Sequence, residues 1–523
     1  MTRHAPLRAA AGTALVMGAF LVWLCARRII ILNDEGIYLD GALRILRGEV
    51  PYRDFFILMG PGTFWLEALA FKAFGVSVAA SRVVMIADLT LIAACVCWLV
   101  ARWTQPAYAV WVAMMTIFFV ISDPGLAVPN HRWDSAACAM AAAMLVIVRG
   151  RPALAFAAGV CSGFAVWITP SVALVGIALL GWLLFSERDR VFPFLLGIAA
   201  VSAVCASVLA WQHALVPMLQ QMFWTGSNYG GANYMPYGSR CGGYAALFEG
   251  GSAAELPARI LVVAGLTIPA ILPPLALAFC GTRAARANRE VLIFAIAGLA
   301  LLLAAYPRMD VPHLAYATPF FCALAAFHGF RIPSKLARPA LFLTLCILAV
   351  IPMGYNVLER INMIPLHTRV GDVVAPVEDA ALIRGLERVV GKDQPVFCFP
   401  YLPVYYFLTL GRNPTRFSYL QPGLMTDADE RSALAELAAH PPPAVIYQNV
   451  TPQMILRIWP HTDPSRLRLR RLESYLGCAY HPGDPIHYRG GELEILERNP
   501  QSVAGACDAE PGAPAKTNAP ASE

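Results

Sequence analysis

The sequence predicts an α-helical polytopic membrane protein of about eleven transmembrane helices followed by a small external C-terminal α/β domain. Three observations predict it. Hydrophobic residues fill 58% of the 523 positions, charged residues only 14%, and mean hydropathy is +0.57; an ordinary soluble domain carries about 25% charged residues. The apolar residues gather into runs too long and too numerous for buried core helices, since a spanning helix needs about 20 mostly apolar residues. After residue 355 these runs stop, and short alternating segments bounded by turn residues replace them.

The predicted spans lie near residues 10–32, 83–101, 107–121, 135–149, 152–168, 171–185, 192–211, 259–279, 290–305, 314–330 and 339–354. The first apolar run is long enough to cross and has no small-residue cleavage site before Asp34, so it is expected as an anchored helix rather than a removed signal peptide. The segments flanking "WITPS" (167–171) are short, and are expected as a tight hairpin or as one interrupted segment. No internal repeat is visible.

The net charge of +6 is read loop by loop, and not as a sign of nucleic-acid binding. With the N-terminus inside, the inner loops collect Arg3, Arg8, Arg102, Arg149, Arg151, Arg188, Arg190, Arg283, Arg286, Arg289, Arg331, Lys335 and Arg338. The short outer loops hold little beyond Arg132, Arg240 and Arg308. By the positive-inside rule, residues 33–82, 212–258 and 306–313, and everything after 355, share the outer face. Most cysteines fall inside apolar runs and act as small hydrophobes. Cys241, Cys398, Cys478 and Cys507 lie in loops or the tail, where an oxidising compartment permits a disulfide that the sequence does not assign.

The first external segment, residues 33–82, opens with "NDEGIYLDGALRILRGEVPYRDFF". Ile37, Gly41 and Ile45, with Leu39, Leu43 and Leu46 nearby, describe an amphipathic helix lying at the membrane surface. Asn33 is expected to cap it, with Asp34 and Glu35 favourable in its first turn. Beyond the membrane part, "EDAALIRGLERVV" and "DADERSALAELAAH" read as helices, "PVFCFP" and "AVIYQN" as strands, and "IHYRGGELEILERN" as a hairpin. Three regions result: a membrane domain over 1–355, an external α/β domain over 356–499, and a disordered Ala/Pro/Gly-rich tail over 500–523.

The stretch "NDEGIYLDGALRILRGEVPYRDFFILMGPGTFWLEALAFKAFGVSVAASR" resembles the first external loop of GT-C glycosyltransferases, in particular bacterial members similar to protein mannosyltransferases and to lipid A aminoarabinose transferases. The resemblance implies a polyprenyl-phosphate-linked sugar donor and a catalytic acid just after the first helix. Asp34 occupies that position, with Glu35 as its neighbour. A lone carboxylate suffices as base for a single displacement with inversion, without the paired carboxylates of retaining hydrolases. It implies a multi-pass protein of the bacterial inner membrane, with the bilayer, the lipid donor and a periplasmic glycan, lipid or protein acceptor as partners. No cofactor is certain, and a divalent metal ion is the one the resemblance leaves open.

Other residues join Asp34 on the outer face. In "VPYRDFF", Arg53 and Asp54 either form a turn with an interfacial arginine and a capping acid, or belong to the substrate site, where the resemblance implies that Asp54 orients acceptor or donor or helps hold a metal. In "YPRMDVPH", Arg308 is suited to the donor phosphate, with Asp310 and His313 beside it. The family often carries a lysine where this chain has Thr169 and Pro170, so fewer phosphate-binding cations are expected. Arg82 is expected as an interfacial anchor, and the loop holding His131, Arg132 and Asp134 mainly as a connector. The aromatic, glycine-rich stretch 223–244 is expected as a lid-like loop.

Two other classes compete. A transporter or flippase of lipid-linked glycans predicts polar groups at the bilayer midplane and paired broken helices; Asp88 is the only acid deep in a predicted span. A noncatalytic envelope glycan assembly protein predicts tolerance to loss of Asp34. Rossmann, P-loop and zinc-spacing motifs are absent.

Overall fold

The computed structural model describes residues 4–248, 255–488 and 491–500. From residue 501 on, the expected tail lies outside the described residues. The chain runs through α1 (Ala5–Cys25), α2 (Asn33–Leu46), α3 (Gly62–Phe74), α4 (Val78–Trp103), α5 (Pro106–Val120), α6 (His131–Ile147), α7 (Pro152–Ile168), α8 (Ala173–Ser186), α9 (Val191–Trp211), α10 (Leu215–Asn233), α11 (Leu256–Phe279), α12 (Arg283–Arg286), α13 (Arg289–Leu303), α14 (Val311–Leu314), α15 (Thr318–Gly329) and α16 (Ala337–Asn362). Every predicted span is a helix: α1, α4 to α9, α11, α13, α15 and α16. Among the described residues α1, α4, α9, α11 and α16 are long and apolar enough to cross a bilayer alone. The others are shorter and are held by their neighbours in the bundle.

Local chemistry sets the helix starts. Ser77 accepts from Ala80 N to cap α4, and Asn130 accepts from Arg132 N to cap α6. Prolines open α5 and α7 where an amide donor has no helical partner. The "WITPS" stretch turns tightly between two separate helices, α7 and α8. Helix α7 crosses α9 at Gly159 and Gly197, where a Cβ would stand 2.0 Å from the Phe194 carbonyl oxygen and 2.1 Å from that of Phe156. Small residues at such crossings let backbones touch, which is how helices associate where lipid supplies no hydrophobic drive.

The chain after α16 begins with a hairpin of β1 (Ile364–Thr368) and β2 (Gly371–Ala375). It continues through α17 (Val377–Val389), β3 (Val396–Phe399), α18 (Val404–Thr409), α19 (Asp427–Ala439), β4 (Ala444–Tyr447), α20 (Pro452–Ile458), α21 (Arg470–Ala479), β5 (Tyr480–Pro482), β6 (Ile486–Tyr488) and β7 (Gly491–Arg498). The sheet runs β3-β4-β7-β5, with β6 on β7; β3 and β4 are parallel and the remaining pairs antiparallel. The fold is therefore a mostly helical membrane bundle with a small C-terminal α/β region.

Three expectations change. Helix α2 has no solvated face over its length: Glu35 to Arg44 are all buried, because the C-terminal region covers its polar side. Ser418 donates to Asp40 at 2.5 Å, and Arg44 donates to the Thr415 carbonyl at 3.0 Å. Asn33 does not cap the helix but is its first residue, following Leu32. Residues 223–233 are not a loop but the second half of α10, and turns follow only afterwards.

Candidate functional site

Asp34 and Glu35 stand side by side at the start of α2 with opposite surroundings. Glu35 is buried and forms an ion pair with Arg82 of α4, which also donates to the Arg28 carbonyl. Burial pushes the Glu35 carboxyl up, against the opposing pull of Arg82. Both its oxygens face that guanidinium. Arg82 is thus a buried partner of Glu35, not an interfacial anchor. Asp34 is exposed, and its Oδ1 accepts a hydrogen bond of 2.8 Å from the Tyr401 hydroxyl.

Gly36 explains how this end of α2 reaches Tyr401. A Cβ there would stand 2.0 Å from the Val404 amide nitrogen, so only glycine lets α2 seat against the start of α18. Tyr401 precedes that helix. Its ring packs edge-on against Tyr419, centroids 5.0 Å apart, and against Trp459 at 5.6 Å. Burial first, and then the Asp34 charge, push the Tyr401 hydroxyl well above the ordinary phenol range, so it keeps its proton.

The second cluster forms where residues 306–311 pair with residues 235–239. Met235 N donates to the Pro307 carbonyl at 3.0 Å, Gly238 N to that of Met309 at 2.8 Å, and Val311 N to that of Ser239 at 2.9 Å. Arg308, so braced, donates to Asp310 Oδ2 at 3.3 Å and to Cys241 Sγ at 3.2 Å. His313 meets the other Asp310 oxygen at 2.5 Å. Burial opposes the charged forms of all three residues. Mutual attraction outweighs it for Arg308, held above its usual range, and for Asp310, held below its own. For His313 burial wins and pushes the imidazole down to about 4. Arg308 Nε is buried without a hydrogen-bond partner among the described residues.

A run of contacts links the two clusters: Arg308 donates to Cys241, whose thiol meets the Ile458 carbonyl at 3.6 Å, the next residue Trp459 packs on Tyr401, and Tyr401 donates to Asp34. The structure therefore brings Asp34, Arg308, Asp310 and His313 together. Arg132 joins them, since it acts electrostatically on His313 and Tyr38. Among the described residues no carboxylate pairs with Arg132, which is partly exposed. One signal pointed to Arg132 in the sequence, its place among the few basic residues of the outer loops. Asp134, two residues on, faces away and is buried against Thr63.

Arg53 and Asp54 lie elsewhere. They pair with each other at 2.8 Å, Asp54 caps the turn by accepting from Val50 N at 2.7 Å, and Arg53 also donates to the Gln212 carbonyl. With Arg44, Arg416, Asn413 and Glu436 they line a polar cavity of about 270 Å³ at the seam with the C-terminal region. Among the described residues no three His, Cys, Asp or Glu side chains converge to hold a metal ion. Cys241 and Cys398 carry free thiols, and Cys478 is disulfide-bonded.

No known family and no curated protein sequence matches this chain. Solved structures do. ArnT from Cupriavidus metallidurans bound to undecaprenyl phosphate superposes with a TM-score of 0.56 over 96% of this chain and 99% of that one, at 13% identity. The Archaeoglobus fulgidus oligosaccharyltransferase tethered to an acceptor peptide gives 0.50 at 11% identity, covering 95% of this chain and 74% of that one. The same enzyme in complex with zinc and sulfate gives 0.52 at 11% identity, over 93% and 73%. The chain has the GT-C fold. At such identities the likeness establishes architecture alone.

Proposed function

We propose that this GT-C protein transfers a sugar from a polyprenyl-phosphate-linked donor to an acceptor hydroxyl on the periplasmic face of the bacterial inner membrane, with inversion. The observation that carries the reading is an exposed carboxylate, Asp34, within electrostatic reach of Arg308, whose Nε has no hydrogen-bond partner among the described residues. Asp34 takes the acceptor hydroxyl's proton as that oxygen bonds to the anomeric carbon. The bond from that carbon to the phosphate oxygen breaks, and polyprenyl phosphate leaves with the electron pair. Arg308 and Arg132 neutralise the charge that grows on the departing phosphate, where planar guanidinium groups fit well.

Asp310 and His313 hold Arg308 in place from the substrate-binding cluster. Glu35, its oxygens engaged by Arg82, acts by anchoring the first turn of α2, while Asp34 has an oxygen left to accept a proton. Arg53 and Asp54 contact the acceptor away from the reacting atoms, in the polar cavity with Arg416. Domains follow the same division: a membrane part to residue 355, and a periplasmic region over 356–499 that closes over the site.

The test uses purified protein, a panel of polyprenyl-phosphate sugars, and release of free polyprenyl phosphate as the readout. Wild type turns over at least one donor and Asp34→Asn loses turnover while inserting and unfolding normally. An active, normally expressed Asp34→Asn variant would overturn the assignment of the base.

A further inference from the structure

The C-terminal region does more than cover the site. Its Tyr401 donates to Asp34 Oδ1 at 2.8 Å, and this is the contact that ties the exposed carboxylate to another side chain. The contact joins residues 367 positions apart. Tyr401 in turn is clamped between the rings of Tyr419 and Trp459. Its ring is therefore fixed while its hydroxyl points at the acid.

We infer that Tyr401 is a positioning residue for the transfer reaction, supplied by the C-terminal region. It holds one oxygen of Asp34 so that the other is aimed at the acceptor hydroxyl. The inference rests on the reading of Asp34 as base. A free carboxylate at the start of a helix samples several rotamers, and only some point an oxygen at the acceptor. One hydrogen bond from a phenol held between two aromatic rings selects among them before substrate arrives, which is orientation gained without cost during the reaction. Tyr401 itself exchanges no proton with substrate, since its hydroxyl keeps its proton at neutral pH.

Hydrogen bonds to charged groups contribute about 1.5–3 kcal/mol, which corresponds to a rate factor of about 10 to 150. Tyr401→Phe keeps the ring between Tyr419 and Trp459 and removes only the hydroxyl. The expected result is a kcat reduced by at least about 10-fold, with KM for the lipid donor and the thermal unfolding midpoint unchanged. Tyr401→His, which restores a donor on a ring, is expected to recover part of kcat. A kcat within twofold of wild type for Tyr401→Phe, or a loss confined to KM, would overturn the positioning role. Asp34→Asn is run in parallel: if it stays active, the base reading fails; if it is inactive while Tyr401→Phe is normal, only the positioning inference fails.

Discussion

Asp34 and Glu35 differ by one position and by the whole of their physical setting. The burial of Glu35 is tolerable only because Arg82 neutralises it, and removing one partner of a buried pair typically costs about 3–5 kcal/mol. Arg82→Ala is therefore expected to lower the unfolding midpoint strongly in detergent. A midpoint unchanged from wild type would contradict the pairing. The sequence made Asp34 legible, since two acids directly after an apolar run invite a reason. The resemblance put Asp34 first and Glu35 second, but nothing in the sequence showed that Glu35 pairs with Arg82, 47 residues on. Arg82 itself looked like a residue at a helix start near the interface, and only packing reveals that it points inward.

His313 carries a pH consequence. In the unfolded chain it takes up its proton near pH 6.5, while the folded protein withholds protonation down to about 4. Between those values the unfolded state binds more protons, so stability falls as pH drops through the window. His313→Asn removes this contribution. Thermal midpoints measured from pH 7 to 4 should fall more steeply for wild type than for the variant, and parallel slopes would refute the burial of a neutral imidazole.

At the scale of elements, helix α2 shows how far periodicity carries. Its helical character and its apolar side were readable from Ile37, Gly41 and Ile45. Its lodging was not, because Asp40 and Arg44 look like a solvated face until Ser418 and the Thr415 carbonyl are seen opposite them. The same limit hid the second half of α10, where glycines and asparagine argue against a helix by propensity and tertiary placement overrides them. Gly36 tests the docking of α2 directly. Gly36→Ala would gain about 1 kcal/mol of intrinsic helix propensity. Its Cβ would lie 2.0 Å from a main-chain nitrogen that no side-chain rotation can move. The clash outweighs the gain, so the variant is expected to unfold at lower temperature and to lose kcat, with donor affinity less affected. A stabilised, active Gly36→Ala would show that α2 does not seat on α18.

Across the whole molecule, the segment between α1 and α4 and the C-terminal region share one hydrophobic core. Leu39, Leu43 and Phe71 from the former pack with Val404, Phe407 and Leu408 from the latter, and the Phe71 and Phe407 rings stack 5.7 Å apart. The sequence division at residue 355 marks a change of composition and falls inside α16, which runs to Asn362. What reaches the site depends on that shared core, since Asp34 rides on α2 and Tyr401 immediately precedes α18. Phe407→Ala removes a fully buried ring, which typically costs about 3–5 kcal/mol. If the two segments form one unit, the variant loses hydrogen-exchange protection in α2 and α18 together, and activity falls although the substituted residue touches neither Asp34 nor Arg308. Protection lost in α18 alone, with α2 and turnover intact, would mean that the C-terminal region is an independent cover and not a wall of the site.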